Sequence, residues 1–149
     1  MNALNARIVG ESTSNLFVTM FYMIFDLKNK RARFSNGAHL PAIHINAAGE
    51  AGLLDVSEGT PLGLVESDYL GKDLNINKGD IFVFYTDGVT EAMNSRKEFY
   101  SEERLIKVIK HSKALPAKEV VAAVEKDIRS FEPRSKQHDD ITLIVVKMA

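Results

Sequence analysis

Apolar positions follow two rhythms along this chain, and the rhythm changes near residue 87. Before it the pattern is that of short strands. Leu16 to Phe25 is an apolar run, Asp26-Leu27-Lys28-Asn29-Lys30 is a polar turn, and Arg31-Ala32-Arg33-Phe34-Ser35 follows, which predicts a hairpin. Pro41-Ala42-Ile43-His44-Ile45 predicts a further strand, ended by the small, turn-rich Asn46 to Gly52. Leu53-Leu54 and Leu74-Asn75-Ile76 predict short strands on either side of Gly59-Thr60-Pro61-Leu62-Gly63-Leu64. Asn77-Lys78-Gly79-Asp80 then makes a tight turn into Ile81-Phe82-Val83-Phe84-Tyr85, an apolar run that stops at Asp87-Gly88.

After Asp87 the spacing becomes helical. Ser101 is placed to cap a helix whose first turn carries Glu102 and Glu103, acids that suit the positive end of a helix dipole. Leu105, Val108 and Ile109 mark one face of it. Pro116 opens a second helix in which Val120, Val124, Ile128 and Phe131 form one apolar stripe, and Glu132-Pro133 ends it. The polar Arg134-Ser135-Lys136-Gln137 leads to His138-Asp139-Asp140 and a last run, Ile141 to Val146. That run is apolar at every position but Thr142, so it is expected at the centre of its sheet with both faces covered. Strands followed by two amphipathic helices and a terminal strand predict an α+β layered domain, with no linker or repeat to divide residues 1–149.

Composition removes several function classes. At 149 residues with 45% hydrophobic and 26% charged positions, the chain is an ordinary globular domain. A net charge of -1 gives no field for nucleic acid or an anionic membrane. No apolar run reaches the ~18–20 residues of a membrane span. The absence of cysteine excludes disulfides, zinc thiolates and thiol catalysis, and fits a reducing cytoplasm, which is the expected location.

The candidate chemistry lies in two acids at the tips of apolar runs. Asp87 follows one run and Asp139 precedes another. Paired carboxylates of this kind suit a hard, oxygen-preferring cation, Mg²⁺ or Mn²⁺. Asp-Gly is also a common turn dipeptide, and spacing alone leaves the turn reading ahead.

Five pieces in order alter that balance: Phe17-Val18-Thr19; Ser35-Asn36-Gly37-Ala38-His39-Leu40-Pro41; Pro61-Leu62-Gly63-Leu64; Gly79-Asp80 running to Tyr85-Thr86-Asp87-Gly88-Val89-Thr90-Glu91-Ala92; and Asp139-Asp140-Ile141-Thr142. From about Phe17 onward the chain resembles the catalytic domain of the PPM (PP2C-like) serine/threonine phosphatases, in the bacterial branch of sporulation and sigma-factor regulators. The resemblance implies a sandwich of antiparallel sheets with flanking helices. It implies hydrolysis of phosphoserine or phosphothreonine by a water activated between two Mn²⁺ or Mg²⁺ ions, in a regulatory protein such as a STAS-type anti-sigma-factor antagonist. Asp87 and Asp139 match metal ligands of the family, Asp140 a supporting position, and Gly88 a turn kept free of a side chain. His39, His138 and Arg134 are candidates for touching the phosphoprotein, although each has a plain reading as a turn or loop residue. A non-catalytic relative that binds a partner protein is the alternative.

Two departures set further expectations. The family's opening segment, with an Asp-x-Ser-Gly-His-Gly-like motif that supplies a bridging carboxylate, has no counterpart; Met1 to Ile8 resembles only the end of the family's second helix. The chain therefore corresponds to the C-terminal two-thirds of such a domain. It is expected to hold metal poorly alone and to associate with itself through apolar surface around Phe17 and Phe21. Relatives also read Asn-Ala-Gly-His where this chain has Asn36-Gly37-Ala38-His39, which puts the turn's backbone angles in question. The strands that end at Asp87 and begin at Asp139-Asp140 are expected to lie side by side.

Overall fold

The computed structural model describes residues 1–11, 16–54, 59–131 and 140–149. The elements are α1 (Asn2–Glu11), β1 (Met20–Asp26), β2 (Arg31–Gly37), β3 (Ala42–Ile45), β4 (Ala51–Leu54), β5 (Lys72–Asn75), β6 (Ile81–Tyr85), the short turn α2 (Asp87–Thr90), α3 (Glu102–Ser112), α4 (Ala117–Phe131) and β7 (Leu143–Lys147). They fall into two compact units, Met1–Pro41 with Leu54–Asn77, and Ala42–Leu53 with Lys78–Ala149. None of the described helices is long and apolar enough to cross a membrane.

The first unit is built on the expected hairpin. β1 and β2 pair antiparallel from Met20↔Gly37 to Asp26↔Arg31, and β5 joins the other side of β2. The turn between them is held by Asp26, whose carboxylate accepts from the Asn29 backbone N–H at 2.9 Å and from its side-chain amide at 2.7 Å. Alternation puts Phe21 on the face of Ala32 and Phe34, where its ring stacks on Phe34 at 5.7 Å. The opposite face carries Tyr22 and Ile24, both exposed, and Phe17 just before the strand is 55% exposed. Among the described residues β1 is also an edge of this sheet. The helix α1 is tied down by Asn5, which is buried, donates to the Val65 carbonyl at 3.0 Å and accepts from the Gly63 N–H at 2.8 Å.

The questioned turn resolves clearly. Asn36 brackets it, accepting from the His39 N–H and donating to the His39 carbonyl, each at 2.9 Å. Ala38, not Gly37, takes the left-handed conformation, with φ 57°. Gly37 answers a packing demand instead: a Cβ there would lie 2.4 Å from Cδ1 of Leu62, a fully buried side chain, and 2.9 Å from Met1. Gly37→Ala is therefore expected to cost about 1–3 kcal/mol through overpacking. Ala38→Gly, which removes about 1–2 kcal/mol of left-handed strain but adds unfolded-state freedom, is expected to be neutral or mildly stabilising. Restoring the family's Ala-Gly order by both changes should thus lose stability, and a urea midpoint at or above that of the unaltered chain would show that Leu62 yields freely.

In the second unit the strand order is β4-β3-β6-β7, with β3–β6 and β6–β7 antiparallel. β6 is the strand the sequence marks as buried, and all its residues but Phe84 are. The expectation for the last strand needs correction. Among the described residues β7 pairs with β6 alone and forms a sheet edge, its residues are only half-buried, and Ile144 is 53% exposed. Apolar residues on both faces mark a strand that needs cover, and they do not say which element supplies it.

The two amphipathic helices follow their stripes, with Leu105 and Ile109 of α3 and Val120, Val124 and Ile128 of α4 buried. Arg104 links them, meeting Asp127 through two N–H···O contacts at 2.8 and 3.1 Å while its guanidinium lies 4.6 Å over the Phe131 ring. Ser101 stands at the N-cap position but makes no side-chain cap bond, because its backbone has φ 67° rather than an extended conformation. Just past the end of α3, Lys147 donates to the carbonyls of Lys113 and Leu115 at 2.7 Å each, which ties β7 to the α3–α4 connection.

Candidate functional site

The site is assembled where β6 ends and β7 begins. Their register runs to Tyr85↔Leu143, so the residues just past the end of β6 face those just before β7. As expected, the two acid-tipped strands are neighbours. Strand geometry ends at Tyr85, and Asp87 is the first residue of the turn α2, which its carbonyl closes by accepting from Glu91 N–H at 2.7 Å. Val89 and Gly88 are buried and anchor the turn from below. Asp87 is exposed, and its Oδ1 accepts from the Gly88 N–H at 2.9 Å.

Between strand and turn stands Thr86. Its N–H donates to the Thr142 carbonyl at 3.1 Å, and its hydroxyl donates to the Asp140 carbonyl at 2.8 Å while accepting from the Thr142 N–H at 3.0 Å. One residue earlier the buried Tyr85 hydroxyl donates to Glu102 at the start of α3. Burial, reinforced by that carboxylate, pushes the Tyr85 hydroxyl well above the ordinary tyrosine range, so it stays protonated as a donor.

Of the sequence-derived candidates, Asp87, Gly88 and Asp140 meet at this edge, with Asp140 exposed. Asp139, His138 and Arg134 lie outside the described residues. His39 lies in the other unit, half-buried, with Nδ1 3.2 Å from the Thr19 hydroxyl. A second polar centre that the sequence reading did not single out lies at the opposite end of β6. Asp80 is 1% exposed, accepts from the Ala47 N–H at 3.0 Å, and lies 3.3 Å from Nε2 of His44.

The donor chemistry at the Asp87 edge fits a hard divalent cation, since it offers carboxylate oxygen without soft ligands. Among the described residues no three His, Cys, Asp or Glu side chains converge to hold one.

The family description "Stage II sporulation protein E (SpoIIE)" matches residues 1–149. The chain belongs to the SpoIIE family. Two curated relatives agree. Protein IcfG of Synechocystis sp. is 30% identical over 132 residues, covering 88% of this chain and 20% of that protein. Phosphoserine phosphatase RsbU of Bacillus subtilis is 26% identical over 145 residues, covering 97% of this chain and 43% of that protein. Among solved structures, the SiaA-PP2C domain of Pseudomonas aeruginosa superposes with a TM-score of 0.82 at 16% identity, over 97% of this chain and 58% of that one. The SpoIIE-family chain described here thus has an α+β PP2C-like fold, and it spans less than half the length of either curated relative.

Proposed function

We propose that this SpoIIE-family chain is part of a metal-dependent phosphatase domain, residues 1–149 forming its later portion, that hydrolyses phosphoserine or phosphothreonine in a regulatory protein. The observation that carries the reading is the pairing of β6 with β7, which sets the exposed Asp87 beside Asp140 in a chain whose whole length matches the family. Asp87 and Asp139 would hold Mn²⁺ or Mg²⁺, with Asp140 and Gly88 supporting them and two ions in the complete domain. Such ions activate water and neutralise phosphate charge. The side chains then have three tasks: to hold the cations, to keep the turn at Asp87 fixed, and to receive the phosphoprotein, for which His39, His138 and Arg134 are the candidates. By analogy with the family that the chain resembles, the substrate is a phosphorylated STAS-type antagonist in sigma-factor control, in the cytoplasm.

Assay of p-nitrophenyl phosphate with Mn²⁺, on this chain and on the longer protein that contains it, tests the reading. The longer protein should release phosphate and lose that activity to EDTA, and the chain alone should be weak or inactive. A longer protein inert with both Mn²⁺ and Mg²⁺ would overturn the enzymatic reading in favour of a partner-binding domain. The β1 edge, unpaired among the described residues, and the exposed Phe17, Tyr22 and Ile24 support self-association of the isolated chain, which a sedimentation dilution series would reveal as mass falling with concentration.

A further inference from the structure

We infer that Thr86 is a positioning residue for the metal edge: its hydroxyl, bonded to both the Asp140 carbonyl and the Thr142 amide, sets how the Asp87 turn stands against the chain leading into β7. The inference rests on the metal reading of Asp87.

The ladder between β6 and β7 ends at Tyr85↔Leu143. Past that pair, Thr86 still donates its N–H to Thr142, and then the chains diverge into the α2 turn on one side and Asp140 on the other. Backbone pairing can no longer fix their separation. The Thr86 side chain continues the pairing by other means. A hydroxyl has one donor and two acceptor sites, and here the donor is spent on Asp140 and one acceptor on Thr142. Both bonds are of ordinary length, so a single side chain spans the gap in both directions. It is joined by one peptide to Asp87, and the carbonyl it holds is that of Asp140.

A cation held at Asp87 would tolerate only tenths of an ångström in the placement of its ligands, and groups that orient ligands without touching the ion commonly change affinity by about 10–100-fold. Valine at position 86 has nearly the shape of threonine and the same strand preference, but no hydroxyl. Serine keeps the hydroxyl and loses only the methyl.

The test is Mn²⁺ affinity, read in the full chain from paramagnetic broadening of backbone amide signals in Thr86→Val, Thr86→Ser, Asp87→Asn and the unaltered protein, with thermal midpoints alongside. This readout extends to millimolar dissociation constants, so weak binding does not hide the effect. Thr86→Val should weaken Mn²⁺ about tenfold, Thr86→Ser should stay within about twofold, and the Thr142 amide should exchange faster with deuterium in the valine variant alone. If Thr86→Val fails to fold, Thr86→Ala against Thr86→Ser makes the same comparison. Unchanged affinity in the valine variant, or equal losses in valine and serine, overturns the inference. Affinity unchanged by Asp87→Asn removes the metal reading and this inference together, whereas loss in Asp87→Asn with none in Thr86→Val removes this inference alone.

Discussion

Asp80→Ala is expected to destabilise the protein by about 1–3 kcal/mol, a sizeable part of the ~5–15 kcal/mol that holds a domain of this size together. Asp80 is a carboxylate with 1% of its surface exposed, placed where three segments meet. Its side chain accepts from Ala47 in the β3–β4 turn and faces His44 of β3, whose ring stacks on Phe82 of β6 at 4.7 Å. Its backbone carbonyl accepts from Met148 N–H at 2.9 Å, and the preceding Gly79, at φ 91°, donates to the Met148 carbonyl at 2.8 Å. Removing the carboxylate strands the Ala47 amide and takes away the acid that lies 3.3 Å from the half-buried His44 ring. Asp80→Asn keeps an acceptor for Ala47 and should lose less. Chemical denaturation of the three proteins decides the matter; a loss below about 1 kcal/mol for alanine would mean that water replaces the carboxylate at no great cost.

Asp87→Asn is expected to abolish whatever divalent-ion binding this chain has, lowering Mn²⁺ affinity by at least about tenfold while leaving the thermal midpoint nearly unchanged. The asymmetry follows from exposure. Asp87 accepts one local bond from Gly88, which an asparagine carbonyl can also accept, so the fold loses little. The cation loses a formal charge, and with few carboxylates to share the load it has little to spare. The same shortage makes the isolated chain a weak binder, with a dissociation constant above roughly a micromolar, since a hard ion seeks about six oxygens. Isothermal titration with Mn²⁺ measures both quantities. Tight binding by the unaltered chain would show that it is not short of ligands, and affinity indifferent to Asp87→Asn would place the metal elsewhere.

What could be read from the sequence was what local pattern determines. The polar Asp26–Lys30 segment between apolar runs gave the β1–β2 hairpin, and the four-residue steps of Val120, Val124 and Ile128 gave the buried face of α4. The run ending at Asp87 was recognisable as the buried strand of its sheet, and the pairing of the acid-tipped strands followed. Strand order was less accessible, because side-chain alternation states how much of a strand wants cover but not its neighbours. That is why β7 is expected at a centre and, among the described residues, lies at an edge. The cap at Ser101 failed on a backbone angle that composition does not report. The groups joining distant segments were invisible for the same reason. Thr86 with Asp140, Tyr85 with Glu102, and Asp80 with His44 are each partners only after the chain has folded back on itself. Asp139, the second acid of the proposed site, falls outside the described residues.

The bond from Thr86 to Asp140 closes a loop of 54 residues, and α3 and α4 lie inside it. Local contacts form early and distant ones wait for the entropy of closure to be met. The helical hairpin can therefore gather, with Arg104 on Asp127, before β7 finds its place beside β6. The edge that carries Asp87 would then be among the later parts of this unit to take shape. During synthesis, Asp87 leaves the ribosome many residues ahead of the strand it must face. A growing chain that has already buried Phe82 and Val83 presents Asp87 alone, and Asp140 comes to stand beside it only when β7 arrives.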